Sequence, residues 1–239
     1  GTPLDTVTAL LRGSVGTPVR ISLRRGQADL AFTINRQPIA LPSVTWQMVA
    51  GQPDLGLIAL SRFSDRTARE LERAARELAA QGARRYVLDL RNNGGGLLDA
   101  AVNVAGQFLD GGVVLVETSR DGGEKTYTAP AAPGPLTAAP LAVLVNGNTA
   151  SAAEILAGAL LDRGRAPLIG QTTFGKGSVQ YVFALSDGSS LHITANRWFT
   201  PSRRQLDRVG LPPTIVVTPA PDGADAELAQ AVQYLSENP

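Results

Sequence analysis

A serine at the head of a helix and a lysine between two glycines are the residues of this chain best placed for acyl-transfer chemistry. Ser151, in "VLVNGNTASAAEI", comes directly after a strand and loop and opens a helix, with Glu154 three residues on. That spacing has two readings. In one, Ser151 and Glu154 form a capping box, the hydroxyl accepting from the N–H of Glu154 and the carboxylate reaching back. In the other, the hydroxyl is a nucleophile, because free N–H groups and the positive end of the helix dipole stabilise the anion formed when a serine attacks a carbonyl. A nucleophile needs a base. The single histidine, His192, lies in "LHIT", where alternation sets it opposite Leu191 and Ile193 as a half-exposed strand residue. A lysine can take the role where burial keeps its amine neutral. Lys176 is flanked by glycines in "GQTTFGKGSVQ", follows an apolar strand and has no acidic residue within five positions. Lys125, by contrast, belongs to the hydrophilic turn "DGGEK" and is expected to be solvated. Gln180, on the strand after Lys176, can orient the amine or be an ordinary polar strand residue.

The same "GQTTFGKGSVQ" fills most of a phosphate-loop pattern through Gly170, Gly175 and Lys176. A true phosphate loop carries Ser or Thr after the lysine, to ligate magnesium, and opens a helix. Here Gly177 holds that place, and "SVQYVFALSDGSSLHITANRWF" is β-branched and aromatic with a D-G turn in the middle, which predicts a hairpin. Nucleotide binding is therefore not expected.

Composition narrows the field further. The 22 basic residues nearly balance 21 acidic ones, so net charge gives no reason to expect nucleic acid or an anionic membrane as partner. The absence of cysteine excludes disulfides, thiol nucleophiles and thiolate metal sites, and a single histidine removes most others; no metal or other cofactor is expected. No apolar run reaches transmembrane length. The chain begins at Gly1 without Met or a signal-like stretch, as a mature piece or an expressed fragment would.

The elements that must hold these residues follow from periodicity. Residues 1–36 offer a short helix ending at Arg12-Gly13 and two strands joined by "RRGQ", too little to bury much alone. Strands follow around Val44–Val49 and Leu55–Phe63. Between Asp65 and Gln81, Leu71, Ala74, Ala75 and Leu78 stand at helical spacing, an amphipathic helix. Then "RYVLDLRNNGGGLLDAAVNVAGQFLDGGVVLVETS" runs strand, glycine loop, helix, strand, and "PLAVLVNGNTASAAEILAGALLDRGRAPLIGQ" repeats the order. Continuous apolar strands alternating with helices predict a mostly parallel sheet covered on both faces, with "NNGGG" and "NGNTAS" at the strand ends where catalytic groups sit. "APAAPGPLTAAP" is a loop, the segment around "LPPTIVV" holds one short strand, and a last helix starts at Asp222 or Asp225.

Taken in order, "VLDLRNNGGGLLDAAV", "VLVNGNTASAAEI", "GQTTFGKGSVQ" and "WFTPSRRQL…GLPPTIVV" resemble the core motifs of the C-terminal processing, or tail-specific, proteases over nearly the whole chain. The resemblance implies a serine endopeptidase cutting polypeptides near their C-termini through an acyl-enzyme, with Ser151 as nucleophile, Lys176 as general base, Gln180 orienting the lysine, and the N–H groups of Gly95 and Ala152 as the oxyanion hole. It further implies an α/β, crotonase-like ββα core over 37–239, and in 1–36 the C-terminal part of a PDZ domain whose carboxylate-gripping half is absent. Substrates would be unfolded or C-terminal tails, and the location periplasmic or otherwise extracytoplasmic. The chain departs from the family's pattern at Gly94, where proline is usual, and at Pro213, where aspartate is frequent. The rival expectation is a catalytically silent module of the same fold that binds apolar ligands or unfolded tails; an intact Ser151, Lys176 and Gln180 argues against it.

Overall fold

The computed structural model describes residues 2–38, 41–131, 133–220 and 223–238. The chain divides into two compact units, Gly1–Leu41 and Pro42–Pro239, a break somewhat later than the one expected after residue 36. In the first unit, helix α1 (Leu4–Leu11) precedes strands β1 (Pro18–Arg25) and β2 (Ala28–Asn35). The strands form an antiparallel hairpin in which Pro18 faces Asn35 and Arg25 faces Ala28. The Arg36 guanidinium donates to the carbonyls of Leu11 (2.8 Å) and Leu10 (3.2 Å), satisfying acceptors that the end of α1 leaves open. No residue of α1 is buried.

The second unit is built on a six-stranded sheet. Its strands are β3 (Val44–Met48), β4 (Leu55–Leu60), β5 (Arg85–Asp89), β8 (Leu141–Val145), β9 (Leu168–Gly170) and β12 (Ile215–Val216), in the order β12-β9-β8-β5-β4-β3. All pairings are parallel except that of β3 with β4. Alternate residues of the buried run "LAVLV" in β8 serve opposite faces. Val143 and Val145 join Ile58, Leu60 and Leu88 beneath helices α2 (Thr67–Ala80), α3 (Leu98–Ala105) and α4 (Ala152–Asp162). Ala142 and Leu144 join Leu55, Val87 and Ile169 beneath Ala231 and Leu235 of helix α5 (Ala226–Glu237). Covering both faces is what permits strands without polar alternation. In α2, the predicted positions Leu71, Ala74, Ala75 and Leu78 are the buried ones, together with Thr67.

Two expectations are corrected. Strand β6 (Val113–Ser119), which follows α3, does not return to the parallel sheet. It enters a separate four-stranded antiparallel sheet, order β10-β11-β6-β7, with β7 (Glu124–Thr128), β10 (Ser178–Ala184) and β11 (Ser190–Phe199). An apolar run after a helix says that a strand forms but not which neighbour it takes. The "DGGEK" segment is a hairpin rather than only a turn: Gly122 adopts φ +86°, Glu117 pairs with Lys125, and Lys125 therefore lies on β7 with its ammonium 4.4 Å from the Tyr127 ring centre. The predicted hairpin after Lys176 forms as β10 and β11.

Helix α5 starts at Asp225, whose carboxylate accepts from the N–H of Leu228 at 3.0 Å; Asp222, the other candidate, lies outside the described residues. Asp225 also takes Arg91, in the loop after β5, through two bonds of 2.7 and 2.9 Å. Arg91 bonds Asp89 and Glu227 as well. Burial alone would lower the guanidinium's pKa, but the bonds to Asp225 and Asp89 outweigh it and hold it above the ordinary value. In return Arg91 holds the Asp225 carboxyl below its usual range, against the smaller opposing effect of burial.

Asp225→Asn tests this clamp, since asparagine caps a helix as well as aspartate while the charge and the Oδ2 bond to Arg91 are lost. A depressed folded pKa contributes stability above the unfolded value of about 3.9 and loses it as pH falls through the folded value. Asp225 is 43% exposed, so screening limits the effect to about 1 kcal/mol at pH 7. Urea melts of both proteins should show that gap closing below about pH 4; a gap constant from pH 3 to 7 would rule out the charge as its source.

Candidate active site

Three loops meet at the carboxyl ends of β5, β8 and β9, where parallel sheets place their functional groups. Those after β5 and β8 are stitched together by asparagines. Asn146 Oδ1 accepts from the N–H groups of Asn92 (3.0 Å) and Asn148 (3.1 Å), while Asn92 Oδ1 accepts from the side-chain amides of Asn146 and Asn148. The buried hydroxyl of Thr149 donates to the Leu90 carbonyl at 2.9 Å. Asn93, fully buried, donates to the Leu60 carbonyl at 2.9 Å and accepts from the N–H of Gly95 at 2.9 Å. It thereby folds the glycine loop back over the end of β4.

That loop lies directly on the serine. A Cβ on Gly95, where φ is +100°, would stand 2.8 Å from Cβ of Ser151 and 2.9 Å from the nitrogen of Ala152, so only glycine fits. Ser151 itself has φ +57° and ψ −120°, a sparsely populated conformation costing about 1–3 kcal/mol that sets the residue on a sharp strand-to-helix turn. The N–H of Ala152, first residue of α4, has no acceptor among the described residues, as helix starts leave it.

The Ser151 turn is held by Glu154. Its carboxylate has no exposed surface and accepts four hydrogen bonds: from the N–H of Ser151 (2.9 Å), the hydroxyl of Thr173 (2.5 Å) and the N–H groups of Gly175 (2.7 Å) and Lys176 (2.9 Å). The predicted capping box is thus made, the Ser151 side chain facing the N–H of Glu154 and the carboxylate reaching back to that of Ser151, and the same carboxylate also carries the third loop. Trp198, buried at the end of β11, donates from Nε1 to the Lys176 carbonyl at 3.0 Å. Gly175, at φ +86°, lets the 206–210 turn approach: a Cβ there would lie 2.7 Å from the nitrogen of Gly210. The backbone of Lys176 is therefore fixed at both its N–H and its carbonyl, while its ammonium makes no ion pair among the described residues.

Ser151, Lys176, Gln180, Ala152 and Gly96 line one cavity of about 440 Å3, and His192 lines it as well. His192 is an exposed strand residue whose Nε2 lies 3.0 Å from Ser190 Oγ. Gln180 is also exposed, and its amide donates to Thr194 Oγ1 at 3.4 Å. Among the described residues no hydrogen bond joins Ser151 to the Lys176 side chain, or Lys176 to Gln180. Gly95 borders the serine, but its N–H is taken by Asn93. Gly96 has an N–H without an acceptor among the described residues. No three His, Asp or Glu side chains among those residues could hold a metal ion. Sequence reasoning missed Asn93, Thr173 and Trp198, and saw Glu154 only as a cap.

Glu154→Gln should be costly. A neutral amide offers one oxygen to donors that now share two, and its NH2 would face N–H groups, so at least one buried donor loses its partner. A loss of about 2–4 kcal/mol in equilibrium urea melts is expected, and a change under about 0.5 kcal/mol would show that the four bonds are not what holds the loops.

Peptidase family S41 matches residues 54–217. The carboxyl-terminal-processing protease of Picosynechococcus sp. (strain ATCC 27264 / PCC 7002 / PR-6) is 40% identical over 223 residues, 92% of this chain and 53% of that protein. The carboxy-terminal processing protease CtpA of Bacillus subtilis (strain 168) is 37% identical over 216 residues, 90% of this chain and 46% of that one. The chain thus spans about half the length of these relatives. Among solved structures, the photosystem II D1 C-terminal processing protease superposes with a TM-score of 0.67 at 34% identity, over 95% of this chain and 65% of that one. With the family's profile running from before β4 through β12, this chain belongs to peptidase family S41.

Proposed function

We propose that the protein is a serine endopeptidase that cleaves polypeptides near their C-termini, with Ser151 as nucleophile and Lys176 as general base. One observation carries the reading: a single buried carboxylate, Glu154, bonds the backbone N–H of both residues and fixes them on the wall of one cavity. The carboxylate thereby ties the backbone of the lysine-bearing loop, 22 positions away, to the turn that carries Ser151.

On this reading Lys176 Nζ comes within hydrogen-bonding reach of Ser151 Oγ when substrate binds, a closure common where the free enzyme holds its groups apart. Oγ attacks the scissile carbonyl carbon as its proton passes to Nζ. The tetrahedral oxyanion develops against the N–H of Ala152 and that of Gly95, the latter turning from Asn93. The C–N bond then breaks, the Lys176 ammonium protonates the departing amine, and water resolves the acyl-enzyme by the same route. Gln180 orients the amine, which requires its side chain to leave Thr194. The finer architecture belongs to the same proposal: a crotonase-like core in the second unit, and in the first unit the C-terminal part of a PDZ domain. So does the expected setting, outside the cytoplasm and acting on unfolded tails.

Labelling with a fluorophosphonate tests the nucleophile. Wild type should be labelled on Ser151 and should hydrolyse a casein-type unfolded substrate, whereas Ser151→Ala should do neither and retain its fold, at a cost of about 1 kcal/mol. Hydrolysis by purified Ser151→Ala equal to wild type would end the assignment; binding of unfolded tails without any labelling of wild type would favour a catalytically silent module. The tail preference has its own test. Amidating the C-terminus of a peptide substrate should leave its cleavage by residues 1–239 nearly unchanged, and a large loss would show that the core reads the tail.

A further inference from the structure

A second cavity, of about 640 Å3, adjoins the one at Ser151: the two share Leu97, Leu98 and Val179 as walls. Leu97 follows Gly96 of the glycine loop directly and is 55% exposed, an apolar collar between the cavities. The far wall is acidic. Glu117, on β6, is only 7% exposed; Oε2 accepts from the Tyr127 hydroxyl and Oε1 from the Asn196 amide, both at 2.6 Å. A carboxylate so held still has lone pairs to offer. Asp99, in the first turn of α3, also lines the cavity and makes no ion pair among the described residues. Glu124 is paired to Arg203. The cation lining this space is Lys125, over the Tyr127 ring, and its pKa is raised, most by Tyr127 and further by Glu117 and Asp99.

Setting aside the Glu124–Arg203 pair, two carboxylates thus face one ammonium at the end of an apolar passage. A long methylene stem ending in a cation fits such a space, because the stem covers leucine and valine while the head keeps polar partners. Lys125 already places an ammonium on the ring that borders Glu117, so the site accepts that chemistry. An acidic side chain would meet Asp99 and Glu117 at close range.

We propose that this cavity is a side-chain subsite selecting lysine or arginine in a polypeptide substrate, close to the bond at Ser151. Glu117 and Asp99 supply the selection, and Lys125 is a resident cation that competes for it. The proposal rests on the peptidase reading, but binding tests it without turnover. In Ser151→Ala protein, fluorescence anisotropy with short labelled Ala/Ser peptides, in which Lys, Ala or Glu is walked along the centre, should find one position where Lys binds about fivefold tighter than Ala and Glu binds weaker. Asp99→Asn should remove most of that advantage by weakening the Lys peptide. Lys125→Met, which keeps the stem, should increase it. The opposite signs separate charge selection from a general structural role, and both positions are exposed enough to spare the fold. The proposal is overturned if no position favours Lys, if the two variants shift the preference in the same direction, or if no peptide binds. The predicted signs in binding together with no cleavage of any peptide by wild type would sustain the subsite and defeat the peptidase reading.

Discussion

The carboxylate of Glu154 is the point on which the candidate site depends. A charge with no contact with water is a liability unless every lone pair has work, and this one has four donors from two segments. Its position on the first turn of α4 adds the favourable field of the helix start. The bonds pin the backbone of both Ser151 and Lys176. Ser151 is kept in a conformation that an unconstrained residue would leave, and the lysine-bearing loop is tied to the same atom pair. The strain at Ser151 is sustained by these bonds and by Gly95, which lies against it on the other side.

The two sheets divide the labour. The parallel sheet supplies three strand ends and the dry core beneath them, with apolar side chains serving both faces. The antiparallel sheet supplies Trp198, which secures the Lys176 carbonyl, and the wall that carries Glu117, Tyr127 and Asn196. Val179 on β10 belongs to both cavities, so the strand that leaves the lysine loop also borders the second cavity and its acidic wall.

Much of this was legible in the sequence, and the unread part has a common cause. Period and turn chemistry located α2 by its Leu71-Ala74-Ala75-Leu78 stripe, the buried strands by their unbroken apolar runs, and the hairpin after Lys176 by its D-G turn. Ser151 and Lys176 stood out by their local setting. What local pattern does not contain is pairing at a distance. Nothing in "VVLVETS" says that its neighbours are β11 and β7 rather than the parallel sheet, and nothing in "SAAEI" says that the glutamate also bonds residues 19 to 22 positions on. In the sequence Asn93 is one polar residue in a polar loop. Its meaning lies in the Leu60 carbonyl, 33 positions earlier, whose open acceptor it satisfies. The "DGGEK" segment was under-read for a different reason, because its exposed, charged strand lacks the apolar alternation by which strands announce themselves.

The Arg91 clamp joins parts of the molecule that lie far apart in the chain. Arg91 sits three residues before Gly94 in the loop that overlies Ser151, yet its guanidinium grips the first turn of α5, 134 and 136 positions later, beneath the opposite face of the sheet. Opening the end of α5 would strip a half-buried cation of two of its three carboxylates, which makes separate opening of the loop and the helix unfavourable. Loop and helix are therefore expected to open as one cooperative unit, the amides around Asn92 and those of the first turn of α5 exchanging with solvent together, although among the described residues no backbone hydrogen bond connects them.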